Sequence, residues 1–277
     1  MSLPFELADS ASTLILTDTH CHLDFDLFDQ DRQEIIDRAW EAGLERILNP
    51  GIDIISSRNA LQLADAHPKI FSACGVHPND AMGWNSGTMA ELRELASHPK
   101  VVAIGEIGLD YYRERTPHDL QKKILKEQLG LAAEFQKPVI IHNRNATSDL
   151  LEILFTWHEE LVKTGSPLAE HPGVLHSYGD RKEAALMAIA HNFFIGFTGP
   201  VTFKNAPELR QTLAALPVNH ILIETDSPFL TPHPYRGQRN EPAYVRYVAE
   251  KIADIYSLSV EFVGAQTTAN ASRLFNW

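Results

Sequence analysis

Eight short apolar runs rich in β-branched residues recur along this chain, each trailed by a longer segment of helical period. The runs cover residues 14–17, 46–48, 70–75, 101–105, 139–141, 173–175, 193–197 and 220–223. Between them lie helix signals. Over residues 31–42, Ile35, Ile36, Ala39 and Trp40 fall at the spacing of a buried stripe. Thr116 followed by Pro117 reads as an N-cap and first helical residue, opening a helix to about residue 135. Residues 146–163, 182–191, 207–216 and 242–256 read the same way, and Ser259 is placed to cap a last helix to residue 274. Strands that alternate with helices imply βαβ units and a parallel sheet. Eight such units predict an α/β fold, a single (β/α)8 TIM-type barrel. A doubly wound open sheet would put Gly-x-Gly-x-x-Gly behind its first strand, and this chain has none there. The expected organisation is an N-terminal extension over residues 1–13 and one barrel domain over 14–277, an ordinary length for this architecture. Residues 165–173 are expected to be a loop within that domain.

The formal charge of −12 argues against a broad basic surface that coats nucleic acid. Attraction for a polyphosphate must then be local, from metal ions and a few arginines and lysines. The two cysteines, Cys21 and Cys74, suggest no stapled secreted scaffold and read as small buried hydrophobes. Residues 1–12 carry acids and no basic leader, and no apolar run approaches membrane-spanning length. The expected compartment is the cytoplasm.

The chemistry-bearing residues stand where the strands stop. The first run leads into Asp18-Thr19-His20-Cys21-His22, the third into Val76-His77-Pro78, the fourth into Glu106 and Asp110. The fifth ends at His142, the sixth at His176, the eighth at Glu224-Thr225-Asp226-Ser227-Pro228. Barrel enzymes build their active sites at these carboxyl ends. His20 and His22 share a strand face, so both can reach one metal, although a pair of hydrogen-bonded histidines would look the same. Glu106 follows a nearly all-apolar run and needs a partner: an arginine inside the barrel mouth, or two cations bridged by its two oxygens. His142 and His176 together supply nitrogen ligands for a second metal, while either alone reads as an ordinary hydrogen-bonded histidine. Asp226 can bind a metal and also take a proton from the attacking water. Glu224 is expected to be structural, and His77 to contact a substrate phosphate. The remaining histidines, at 67, 98, 118, 158, 171, 191, 220 and 233, are expected to be surface or structural, away from the mouth.

These segments resemble the TatD family of metal-dependent deoxyribonucleases, in the amidohydrolase-like superfamily. The resemblance rests on Asp18-Thr-His-Cys-His22-Leu, Gly75-Val-His-Pro78, Ile104-Gly-Glu-Ile-Gly-Leu-Asp110, Pro138-Val-Ile-Ile-His142 and Glu224-Thr-Asp-Ser-Pro228. It spans nearly the whole chain. It implies two divalent ions (magnesium, manganese or zinc), one on His20, His22, Glu106 and Asp226, the other on Glu106, His142 and His176. Glu106 would bridge them and Asp226 would be the general base. It implies a 3′–5′ exonuclease acting on single-stranded DNA or RNA; independently of it, no membrane and no obligate protein partner are expected. The 235–242 stretch is similar to the family's Arg-Gly-x-x-Asn-x-Pro segment, which makes Arg236 a candidate phosphate contact beside Arg144. The chain departs from the family pattern at Ser177-Tyr178-Gly179-Asp180 and Asn143-Arg144-Asn145, both near the mouth. Since one metal chemistry serves many esters and fold does not fix function, three other readings stay open. They are a small-molecule amidohydrolase, lactonase or phosphotriesterase, a D-aminoacyl-tRNA deacylase, and a non-catalytic binding barrel.

Overall fold

The structure, a computed structural model, describes residues 14–277; the expected extension over 1–13 lies outside the described residues. Eight strands form one sheet in chain order. They are β1 (Leu16–Asp18), β2 (Leu44–Pro50), β3 (Ile70–Cys74), β4 (Val101–Asp110), β5 (Val139–Arg144), β6 (Gly173–Leu175), β7 (Phe194–Phe197) and β8 (Ile221–Ile223). Every neighbouring pair is parallel. The sheet closes where β8 meets β1. There Thr19 N–H donates to Ile223 O at 3.2 Å, Asp226 N–H to His20 O at 2.8 Å, and His22 N–H to Ser227 O at 2.8 Å. The predicted (β/α)8 barrel is the architecture found.

The helices are α1 (Arg32–Glu41), α2 (Ile54–Ala66), α3 (Thr88–Ala96), α4 (His118–Phe135), α5 (Thr147–Thr164), α6 (Lys182–Ala190), α7 (Pro207–Ala214), α8 (Val245–Tyr256) and α9 (Val260–Phe275). Among the described residues, no helix is long and apolar enough to cross a membrane. Adjacent strand residues divide between two apolar clusters. Ile47, Ile141, Leu175, Ile195 and Ile223 belong to the larger. Leu48, Ile140, Val174, Phe194 and Leu222 belong to the smaller, together with Leu274 and Phe275 of α9. This alternation is the period-two pattern of a sheet buried on both faces. Trp277 packs on Phe71 near the start of β3, with ring centroids 4.9 Å apart, so the chain's end covers the floor opposite the mouth.

Several local expectations are corrected. Pro117 is the N-cap of α4, not its first helical residue, and Thr116 makes no side-chain cap. Gln121 takes over the joint instead: its amide donates to Asp110 O and Thr116 O, each at 2.9 Å, and accepts from Asp110 N–H at 2.8 Å. Glu106 and His142 lie inside β4 and β5, which run beyond the expected ends at 105 and 141. His118 opens α4 and His233 follows β8, so both stand on the mouth side of their strands. The 165–173 loop contains a short helical turn, Pro167–Glu170.

Register and one glycine aim the site. Along the β4–β5 ladder, Ile104 pairs with Val139 but Ile107 with Ile141, so β4 carries one extra residue around Gly105-Glu106. Such a bulge re-aims a side chain. Gly108 then has φ +152°, and a Cβ there would lie 2.0 Å from His142 O. Gly108→Ala is therefore expected to destabilise the fold by about 3 kcal/mol, lowering Tm by roughly 6–12 °C for a chain of this size. Thermal denaturation checks it; a Tm at the wild-type value would mean β4 shifts freely.

Candidate active site

The barrel mouth opens into a cavity of about 1060 Å³ whose lining includes His22, His77, Glu106, His142, His176 and Asp226. His20 lies beneath, fully buried. The six expected ligands converge. His20 Nε2 is 3.2 Å from His22 Nε2, 3.4 Å from Glu106 Oε2 and 3.8 Å from Asp226 Oδ1. His22 Nε2 is 3.8 Å from Glu106 Oε2 and 3.6 Å from Asp226 Oδ1. Ligand atoms about 2.1 Å from a common ion in tetrahedral array stand about 3.4 Å apart. His20, His22 and Glu106 stand 3.2–3.8 Å from one another, close to that spacing, and Asp226 Oδ1 lies 3.6–3.8 Å from both histidines.

Glu106 faces two ways. Oε2 looks toward His20 and His22, whereas Oε1 is 2.9 Å from His142 Nδ1 and 3.7 Å from His77 Nε2. Three donor sets are therefore compact: His20, His22 and Glu106; His77, Glu106 and His142; and His20, His176 and Asp226. His176 stands nearer His20 and Asp226 than the resemblance implied, its ring stacked on His20 at 3.4 Å.

The group behind each imidazole fixes which nitrogen can bind a cation. Pro50 O lies 3.2 Å from His22 Nδ1, and Glu224 Oε2 lies 2.9 Å from His176 Nδ1. Both acceptors hold the proton on Nδ1 and leave the Nε2 lone pair facing the site. Asp110 Oδ2 lies 3.4 Å from His142 Nε2, which leaves Nδ1 facing Glu106. His77 is the reverse case: its Nδ1 accepts from Asn79 N–H at 3.1 Å. Burial, reinforced by His142, pushes its pKa down to about 3, so the ring is neutral with its proton on Nε2. In that tautomer Nε2–H offers a hydrogen bond into the cavity.

Charge follows the same geometry. Burial alone would neutralise Glu106, but hydrogen bonds from His142 and His20 hold its carboxyl well below the usual range. Asp226 is likewise held low against burial by His22. Burial depresses His176, yet the Glu224 carboxylate outweighs it and lifts the pKa to about 9, so a cation that takes Nε2 displaces a proton from it. Ionised buried carboxylates among imidazoles are what a divalent cation needs.

The sequence reading missed several supports. Asp110 accepts from Asn79 Nδ2 at 3.0 Å and from the backbone of Tyr112 and Arg113, both at 2.9 Å. Gln128 of α4 clamps Val76 through both backbone atoms, at 2.8 and 3.0 Å, and so positions His77. A glutamine in the apolar stripe of an amphipathic helix was the available signal. Glu224, expected to be structural, also accepts from Ser177 N–H at 2.9 Å. Arg144 lines the cavity with its guanidinium 4.0 Å over Tyr112. Arg236 lies 4.2 Å over Phe203 and is not part of that lining.

A parallel eight-stranded barrel with a histidine and carboxylate cluster at its mouth defines a metal-dependent barrel hydrolase. Residues 17–276 match the family model described as TatD related DNase. The chain is 42% identical over 261 residues to the "Uncharacterized metal-dependent hydrolase YabD" of Bacillus subtilis, covering 94% of this chain and 99% of that one. It is 36% identical over 255 residues to "3'-5' ssDNA/RNA exonuclease TatD" of Erwinia tasmaniensis, covering 90% and 95%. The crystal structure of YJJV, a TatD homolog from Escherichia coli K12, superposes with a TM-score of 0.87 at 28% identity, covering 95% and 98%. The chain belongs to the TatD family of metal-dependent hydrolases.

Proposed function

We propose that this protein is a 3′–5′ exonuclease that hydrolyses phosphodiester bonds of single-stranded DNA or RNA at a two-cation site. The observation that carries the reading is Glu106, whose two oxygens address two different imidazole sets. The name of the Erwinia relative supports the substrate. His20, His22, Glu106 and Asp226 would hold one cation, and Glu106, His142 and His176 the other, with magnesium, manganese and zinc all compatible with the donors. Bound divalent cations lower the pKa of a water and polarise the scissile phosphoryl oxygen.

The chain supplies the rest. Asp226, ionised and reachable from the cavity, takes the proton as the water oxygen joins phosphorus and the bond to the leaving oxygen breaks. His77 Nε2–H donates to a non-bridging oxygen. Arg144, and Arg236 from the rim, would hold flanking phosphates. Digestion of end-labelled oligonucleotides with each metal in turn is the test. Stepwise shortening from the 3′ end is expected; hydrolysis confined to small esters or lactones would overturn the reading. Glu224→Gln tests the support behind His176: metal affinity is expected to fall about 10–100-fold, measured by chelator competition, with circular dichroism unchanged. Wild-type affinity would remove Glu224 from the site.

A further inference from the structure

The walls of the cavity differ. Phe25, Phe229 and Leu230 line it from the segments after β1 and β8, whereas Arg113, Arg115 and Arg144 line it from the ends of β4 and β5. In a closed barrel of eight strands in chain order, these two sectors face one another. The His and carboxylate cluster forms the floor between them.

Each wall has unspent binding capacity. The Phe229 side chain is 49% exposed although its ring is apolar. Phe25 meets it at 70° with centroids 6.1 Å apart, and Phe25 is braced from behind by His22 at 4.6 Å and 16°. The two rings make a rigid corner. On the opposite side the arginines are unpaired: Arg38, Arg93 and Arg239 each sit on a carboxylate, but Arg113, Arg115 and Arg144 form no ion pair among the described residues. Three guanidiniums without a salt bridge stand on one wall, Arg144 over Tyr112 and Arg115 near Asp80, and concentrate positive charge there in a chain of net charge −12.

We propose that the mouth is polarised for an unpaired strand end: the base beside the scissile phosphate stacks on Phe229 in the Phe25 corner, and the phosphates further along the strand cross to Arg113, Arg115 and Arg144. This rests on the nuclease reading above and specifies how the substrate lies. A flat apolar base and a chain of anions match the two walls in kind, as aromatic platforms and basic grooves do in single-strand binders. A base held in the corner cannot be paired, so duplex ends must fray before entering.

The test compares kcat/KM on a single-stranded oligonucleotide with that on the same oligonucleotide carrying an abasic nucleotide at the cleaved end. Wild type is expected to prefer the intact end by about 10-fold, and Phe229→Ala to bring that ratio to about 1. General damage to the site would lower both rates and leave the ratio intact. Arg113→Ala with Arg115→Ala is expected to leave the ratio at its wild-type value. In the Asp226→Asn background, fluorescence anisotropy should show this pair weakening oligonucleotide binding by about 10-fold or more at low salt, with the salt slope reduced by about 1.4. A wild-type ratio of 1, or a Phe229→Ala ratio equal to wild type, overturns the stacking corner while the exonuclease reading stands. An unchanged salt slope overturns the arginine wall. Failure of wild type to shorten any oligonucleotide, with methyl p-nitrophenyl phosphate still hydrolysed, overturns the nuclease reading and this inference with it.

Discussion

Asp226→Asn is expected to lower kcat on a single-stranded oligonucleotide by about 10³-fold, within the range for removing a general base. The substitution is unusually clean. Asp226 has φ +54°, a conformation that asparagine adopts more readily than most residues. Its backbone N–H is tied to His20 O at 2.8 Å, and that bond does not depend on the side chain. The amide keeps an oxygen near His20, His22 and His176, which lie 3.6–3.8 Å from the carboxylate, but it cannot take up a proton at neutral pH. Metal content by elemental analysis should therefore stay near wild type while turnover collapses. Near wild-type kcat would remove Asp226 as the base. Loss of metal and activity together would make it chiefly a ligand.

The barrel was legible because its strands are buried on both faces. Runs such as Val101–Gly105 and Val139–Ile141 read as continuous apolar segments, and each stops at a polar residue, Glu106 and His142. The six ligand-type residues stood out for the same reason. The helix α2 was not singled out, since it packs through Ser56, Ser57, Ala60 and Ala64, which give no strong apolar stripe. Its cap, Asp53 accepting from Ser56 N–H at 2.7 Å, was the available clue. The bulge at Gly105-Glu106 depends on pairing with β5 and has no local signature. Nor can strand-end position say what stands behind a ring. His77 and His142 look alike in the sequence, but the Asn79 amide stands behind Nδ1 of one and the Asp110 carboxylate lies 3.4 Å from Nε2 of the other.

That distinction leaves Glu106 as the residue on which most depends. In metal-free protein its carboxylate is the anion between His20 and His142, and both rings are largely buried. Glu106→Ala removes the one group that addresses both donor sets. On the two-cation reading proposed above, metal stoichiometry is expected to drop from two per chain to one or none, and kcat/KM on an oligonucleotide by at least about 10³-fold. Polarisation by a cation contributes several kcal/mol to the transition state, and each 1.36 kcal/mol is a factor of ten. Glu106→Gln separates charge from shape: it keeps the volume and one oxygen acceptor but cannot neutralise two cations. If bridging is the role, the glutamine variant should resemble alanine in metal content and differ from it only in stability. If Glu106 merely orients His142, glutamine should retain both metals and most of the activity. Elemental analysis of the two variants beside wild type decides between these, because full occupancy in Glu106→Ala is incompatible with a shared carboxylate.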